Sequence, residues 1–339
     1  MTDRLEPSMG RSAHVAATFA PDLVDSRATE RPITVDQTNF SVVVGERVVV
    51  KWLRAPVTGE HPAVRLMTHL REVGFSEMPP FFGALVVDGA TEAIVTGFVE
   101  GALDGWDWYV EELTAATETG ELAAPLESAQ RLGSLTGRLH RALATPSGTI
   151  PEPLQRDSLA GEAQRGLDLL AEAGDTLVVA ARAVEISAVI GRLGERTAGI
   201  VQPIHGDLHV GQILRTSMPD AMFVNDFDGS PVVSPAERLR PRSTLIDIAS
   251  MLQSIDHVGR VVANRRPDLA AAVDAFLADA AVTALAGYCT AVGTEEPIDL
   301  PALFTLSIIQ ELHEFVYARR SLPRWSYVPE AALAALLPR

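Results

Sequence analysis

Lysine is almost missing from this chain of 339 residues: of its 28 Lys and Arg side chains, a single one, Lys51 in "VVVGERVVVKWLR", is lysine. Arginine serves wherever a generic cation suffices, so the surviving lysine marks a place that needs a compact point charge on a flexible stem rather than a planar fork. Cysteine is equally scarce. Cys289 is alone, which excludes an intramolecular disulfide and suits a reducing, cytoplasmic compartment. Its apolar setting in "ALAGYCTAVG" reads as a packed thiol. Positive charge is in deficit: the formal net charge of −16 argues against nucleic acid or an anionic membrane as partner and is compatible with a small cationic ligand. Long unbroken apolar runs are also lacking. "LAAAVDAFLADAAVTALAGY" is interrupted by Asp274 and Asp279, as in an amphipathic or core helix, and nothing near the start resembles a signal peptide, so no membrane association is expected.

What is present is material for a large core, since 47% of the residues are apolar, and a length that suits two lobes. Residues 1–35 mix charge, Pro and Gly without a clean period and are expected to be weakly structured. From 36 to 100 the pattern is that of strands. Two valine-rich runs flank Gly45, Glu46 and Arg47 as in a hairpin, with Lys51 on its second strand; "ALVVDG" and "TEAIVTGFV" are two more strands joined at "VDGAT". Between the pairs, "HPAVRLMTHLREVGF" places Val64, Met67, Leu70 and Val73 on one face of a short helix. Residues 101–339 turn helical, beginning with Leu132, Leu135, Leu139 and Leu143 at helical spacing. The fold class expected is α+β, a small antiparallel-sheet lobe followed by a larger, mostly helical one.

An irregular polar island, "IVQPIHGDLHVGQILRTSMPDAMFVNDFDGSPVV", interrupts the helical part at about residues 200–235. It gathers His205, Asp207, His209 and Gln212, then Asp226 and Asp228 beyond a short strand. Carboxylates this dense repel one another unless one receives a proton and others hold a cation. Phosphoryl transfer has that requirement: one carboxylate aligns the attacking hydroxyl, and Mg²⁺ bridging nucleotide phosphates takes hard oxygen ligands such as a carboxylate and an amide carbonyl.

The spacing resembles the kinase catalytic loop, in which Asp is followed by Asn five positions later and then by an Asp-Phe-Gly turn; here the amide is Gln212 and the turn is Asp226-Phe227-Asp228-Gly229. The form "HGDLH" resembles that of the aminoglycoside phosphotransferase-like small-molecule kinases. Within them, "HGDLHVGQILR" with "AERLRPRSTLIDIASML" looks most similar to actinobacterial maltokinases and glucosamine kinases, over about residues 36–325. The resemblance implies a two-lobed protein-kinase-like fold using ATP and Mg²⁺. It implies Asp207 as the base, Gln212 and Asp226 as metal ligands, and Asp228 at a second metal or facing the acceptor sugar.

It also implies that His205 and His209 fix the loop, and that Asp247 either anchors the loop backbone or simply favours its helix start. Lys51 falls on the strand whose ammonium reaches the α- and β-phosphates. The helix position that should supply its partner acid is Arg65, leaving Glu60 or Glu72 to substitute. No Gly-rich loop precedes it, so Thr38, Asn39 and Ser41 would contact phosphates. "TGFVEG" would form the interlobe hinge that binds adenine near Phe98 and Val99.

The acceptor is read from "SIIQELHEFVYARRSLPRWSYVP": Gln310, Glu311, Glu314 and Trp325, with Asp228, offer carboxylates and an aromatic platform. These favour an acceptor bearing an ammonium group, glucosamine phosphorylated at its 6-hydroxyl, over maltose. Such an enzyme is expected to be a monomer or homodimer. The readings from other classes are a nucleotide-binding pseudokinase and a metal-dependent hydrolase built on the His and Asp residues of the island, the latter leaving Lys51 without a role.

Overall fold

The two hairpins read from the sequence are present, and both turn on consecutive residues with positive φ, Gly45 and Glu46 in one and Asp88 and Gly89 in the other. That geometry matches the right-handed twist of the strands it joins. The computed structural model describes residues 10–33, 39–230, 233–293 and 297–338. The first compact unit is drawn from residues up to Leu103, with Pro146–Pro151 and Ile213–Leu239.

Its elements begin with α1 (Arg11–Phe19) and β1 (Glu30–Ile33), followed by β2 (Phe40–Val44), β3 (Val48–Thr58), α2 (Pro62–Glu72), β4 (Phe81–Val87) and β5 (Ala90–Gly97). The strands form one antiparallel sheet in the order β1-β2-β3-β5-β4. Val42, Val44, Val48, Val50, Trp52, Ala93 and Val95 pack in one cluster with Ala13, Val15 and Ala16 of α1.

Residues 11–33 are thus structured, against the expectation of a weakly structured start. The helix is too short and too rich in small residues to show a period. Tertiary contacts hold it instead: Glu30 accepts from the backbone N–H groups of Gly10 and Ala13, and Trp52 Nε1 donates to Ser12 Oγ at 3.0 Å. The helix α2 buries Pro62, Ala63, Leu66, Met67, His69 and Leu70, so its inner face is rotated from the one expected and leaves Val64 and Val73 half-buried.

The second unit comprises Asp104–Thr145, Glu152–Gln212 and Arg240–Arg339. Along the chain come α3 (Gly105–Thr119), α4 (Ala123–Leu143), β6 (Gln155–Asp157), α5 (Ala160–Ala173), α6 (Leu177–Gly194) and β7 (Gly199–Val201). The hairpin β8 (Ile213–Ser217) and β9 (Asp220–Val224) and the single turn α7 (Pro235–Arg238) belong to the first unit. The second resumes with α8 (Leu245–Arg265), α9 (Ala270–Val292), α10 (Leu300–Ser321) and α11 (Tyr327–Leu336).

Leu132, Leu135, Leu139 and Leu143 of α4 are all within 1% of full burial, so truncating any of them to alanine costs about 2–5 kcal/mol. The helix α9 runs along α4 so closely that a Cβ on Gly133 would meet the Ala284 carbonyl oxygen at 1.8 Å. By length and composition alone Pro267–Val292 would cross a membrane; here it buries Val273, Phe276, Ala280, Ala284 and Tyr288 within the helical unit. Cys289 is exposed, not packed, because it follows Tyr288 around to the outer side of α9.

Candidate functional site

In the first unit, strand register sets Lys51 opposite Ser41 on one side and Ile94 on the other. Its ammonium reaches the Asp-Phe-Asp-Gly turn that follows β9, lying 2.6 Å from Asp226 Oδ1 and 3.0 Å from Asp228 Oδ2. Burial alone would lower the Lys51 pKa. The two carboxylates outweigh it and hold the lysine protonated well above its ordinary range.

Asp226 has φ 58, the left-handed region that costs a non-glycine residue of order 1–3 kcal/mol and recurs where a side chain must be aimed. Phe227 is buried beside it, which seats the turn. Asp228 also accepts from Asn39 Nδ2 at 3.2 Å, while its backbone carbonyl accepts from Arg238 at 2.9 Å. His61 caps the start of α2 through Nδ1, and burial lowers its pKa against the pull of Asp228, so the ring is neutral.

The substitute acids expected for Lys51 are engaged elsewhere. Glu60 pairs with Arg65 at 3.2 Å, and Glu72 accepts from the backbone and hydroxyl of Thr149 at 2.9 and 2.8 Å. The lysine takes its partners from a turn distant in sequence. Ser41 is buried in the sheet beside Lys51, and Thr38 lies outside the described residues. Phe98 donates its backbone N–H to Arg47 O at 2.8 Å, and the Val99 carbonyl accepts from Ala102 N–H at 3.4 Å.

In the second unit, the loop His205–Gln212 is pinned from below by Asp247. This carboxylate is fully buried, and its two oxygens accept the backbone N–H groups of His205 and Gly206, each at 2.8 Å. His140 Nε2 adds a third contact at 3.1 Å, and its other ring nitrogen lies 3.0 Å from the Tyr288 hydroxyl. Burial would raise the Asp247 pKa, but the His140 contact and the backbone donors bring it below the ordinary carboxylate value. A macrodipole role would not require this inward position, so the geometry favours the loop-anchoring reading of Asp247.

Leu208 and Val210 are wholly buried, and Val210 N–H donates to Ser254 Oγ at 3.0 Å, leaving Asp207 half-buried between fixed neighbours. His209 accepts from Gly211 N–H through Nδ1, and its Nε2 lies 3.4 Å from the Gln212 side chain, so its ring contacts the loop's own residues; the His205 side chain is buried. The start of α3, capped by Asp104, presses on this loop so tightly that a Cβ on Gly105 would stand 1.8 Å from the Val210 carbonyl oxygen.

The same unit gathers three of the four expected acceptor residues of α10 and its following turn. Glu314 accepts from Trp325 Nε1 at 3.2 Å and from Gln310 Nε2 at 3.3 Å. Glu311 does not join them. It is fully buried and bound to His257 Nε2 at 2.9 and 3.2 Å, because it lies on the edge of α10 that packs against α8, the helix carrying His257. Burial, against the pull of His257, pushes Glu311 up to about 7; Glu311 in turn outweighs burial at His257 and pushes it up to about 9.

Trp106 stands edge-on to Trp325 with ring centroids 5.4 Å apart, and His257 stands edge-on to the same indole at 6.2 Å. Trp106, His140 and His257 carry no local motif that would single them out in the sequence. The one signal was "LDGWDW", an Asp-Gly helix start carrying two indoles.

A strand lysine, an Asp-bearing loop and an Asp-Phe-Asp-Gly turn are parts that phosphoryl-transfer sites of the protein-kinase type share. No family model matches the chain. It is 40% identical over 328 residues to a glucosamine kinase of Streptacidiphilus jiangxiensis, covering 91% of this chain and 74% of the relative. It is 35% identical over 357 residues to a glucosamine kinase of Mycolicibacterium smegmatis, covering 99% and 87%. Among solved structures, a glucosamine kinase in complex with glucosamine, ADP and inorganic phosphate superposes with a TM-score of 0.84 at 34% identity, over 99% of this chain and 84% of that one.

The GDP complex of an aminoglycoside 2'-phosphotransferase shares the fold alone, with a TM-score of 0.52 at 12% identity over 96% and 97%. With 40% and 35% identity carried over most of both chains, this protein belongs to the glucosamine kinase family.

Proposed function

We propose that this chain transfers the γ-phosphoryl group of ATP to glucosamine, at the 6-hydroxyl. The observation that carries most weight is the Asp207 loop braced by Asp247, in a chain 40% identical to a glucosamine kinase. Asp207 aligns the acceptor hydroxyl and takes its proton as the oxygen bonds to phosphorus. Lys51 leaves its aspartate partners for the nucleotide phosphates, where its single compact charge and flexible stem are the useful properties. Asn39 and Ser41 line the start of the same strand pair. The Phe98 carbonyl and the Val99 N–H are the backbone groups assigned to the nucleobase, the Phe98 N–H and the Val99 carbonyl being engaged within the chain.

The donor set suits Mg²⁺. Asp226 and Asp228 supply hard carboxylate oxygens, and Gln212 an amide carbonyl. Among the described residues no group of three or more His, Cys, Asp or Glu is preassembled as a metal cluster. Mg²⁺ takes one or two protein carboxylates and completes its shell with phosphates and water. When bound, Mg²⁺ neutralises charge on the β- and γ-phosphates.

At the acceptor side, Glu314 offers a carboxylate to the sugar's ammonium, while Gln310 and Trp325 position it. The net charge of −16 favours a cationic acceptor. The lone exposed thiol and the absence of any possible intramolecular disulfide agree with a cytoplasmic location.

A coupled assay for ADP with glucosamine, glucose, maltose and an aminoglycoside tests the assignment. Glucosamine should give the highest kcat/KM. Faster turnover of maltose would transfer the reading to a maltokinase; stabilisation by ATP with no turnover of any acceptor would indicate a pseudokinase.

A further inference from the structure

Trp325 has two sides, and the contacts with Glu314 and His257 use only part of its surface. A second part, together with Trp106, floors a cavity of about 480 Å³ in the helical unit. This is within the range of about 300–1,000 Å³ typical of ligand pockets. One wall is the face of α3 carrying Asp107, Glu111 and Thr114 at helical spacing; Arg265 at the end of α8 closes the other side. Asp107 and Glu111 are exposed, so a ligand in the cavity can reach their carboxylates.

This combination has a chemical meaning. Indole faces take the C–H face of a pyranose, carboxylates accept from its hydroxyls or pair with an amine, and an arginine donates to ring and hydroxyl oxygens. The floor is tied to the catalytic loop, since the Trp106 ring lies 6.5 Å from that of His209. Glu314 does not line this cavity, and Trp325 is the residue common to both places.

We propose that this cavity is a second saccharide subsite, which makes the β-linked disaccharide of glucosamine an acceptor alongside the monosaccharide. The inference rests on the acceptor role assigned above to Glu314 and Trp325. The sugar unit at Glu314 is phosphorylated and the attached unit lies on Trp106 and Trp325, with its ammonium toward Asp107 and Glu111. The chemistry is unchanged: the acceptor oxygen bonds to the γ-phosphorus, the bond from that phosphorus to the bridging oxygen of ADP breaks, and the hydroxyl proton passes to Asp207.

The test compares kcat/KM for glucosamine and for its β-linked disaccharide in the full chain and in Thr114→Trp, which fills the cavity from a helix surface position. The wild type should phosphorylate both. Thr114→Trp should lower kcat/KM for the disaccharide about tenfold or more and leave that for glucosamine within about twofold. Glu111→Lys, at an exposed position, should act in the same direction by repelling the second ammonium, and stands in if the tryptophan variant does not fold.

Turnover of glucosamine without turnover of the disaccharide overturns the proposal, as does an equal effect of both variants on both acceptors. Calorimetric titration of the disaccharide separates the two readings if the wild type phosphorylates neither sugar. Binding that Thr114→Trp weakens keeps the subsite while the kinase assignment fails; no binding, or binding that the variant leaves unchanged, removes the subsite.

Discussion

Lys51 Nζ and Asp226 Oδ1 are 2.6 Å apart although 175 residues separate them in the chain, and Asp228 closes on the same ammonium from 3.0 Å. The lysine without a helix partner is held by the turn itself. Asp226 and Asp228 are the carboxylates proposed above to hold Mg²⁺, and in this structure both lie on the lysine. The Lys51→Arg variant keeps the charge but replaces a point by a longer planar fork. It should lose at least about tenfold in kcat/KM for ATP, and retained turnover would show that the position needs only a cation.

Asp207→Asn preserves shape and removes the proton acceptor. Transfer to glucosamine should fall by about 10²–10⁴-fold, the usual contribution of a general base, while ATP still raises the thermal midpoint. Substantial residual turnover would remove Asp207 from that role.

Asp247 accepts two backbone N–H groups of the catalytic loop with no exposure to water. In Asp247→Ala both donors lose their partner, at a cost of about 3 kcal/mol or more in unfolding free energy measured by urea titration. The pKa of Asp247 is depressed in the folded state, so its contribution is present above the unfolded carboxylate value and is lost as pH falls through the folded one. A variant as stable as the wild type would mean that the loop finds other acceptors.

His257 and Glu311 form a buried pair in which both groups hold protons to higher pH than in the unfolded chain, to about 9 and about 7 respectively. Folding therefore takes up protons between the unfolded and folded values, and the pair's contribution to stability falls as pH rises through 7 and on through 9. The thermal midpoint should decline over that window, and His257→Gln should flatten the part of the decline near pH 9. An unchanged profile in the variant would show that other groups govern alkaline stability.

Glu314 is the remaining carboxylate of α10 aimed at Trp325. Glu314→Gln should raise KM for glucosamine about tenfold, equivalent to about 1.4 kcal/mol. Turnover of glucose should change less, because it brings no ammonium to the site. An equal loss for both sugars would mean that Glu314 shapes the pocket without reading the amine.

The chain's own order of residues determined what depends on near neighbours. Valine runs around Gly45 and Asp88 specify hairpins, leucines at helical spacing specify α4, and "HGDLHVGQ" specifies the loop, because backbone propensity and periodicity act over a few residues. Lys51 was legible for the same reason, as the one lysine on a strand.

Tertiary structure decided the pairings. It gave Lys51 to Asp226 and Asp228 and bound Glu60 and Glu72 elsewhere. Packing turned Glu311 inward to His257 while leaving Glu314 at Trp325, and it ordered α1 on the sheet through Glu30 and Trp52. A carboxylate's partner and exposure depend on which distant segments close around it, and spacing along the chain carries no record of that closure.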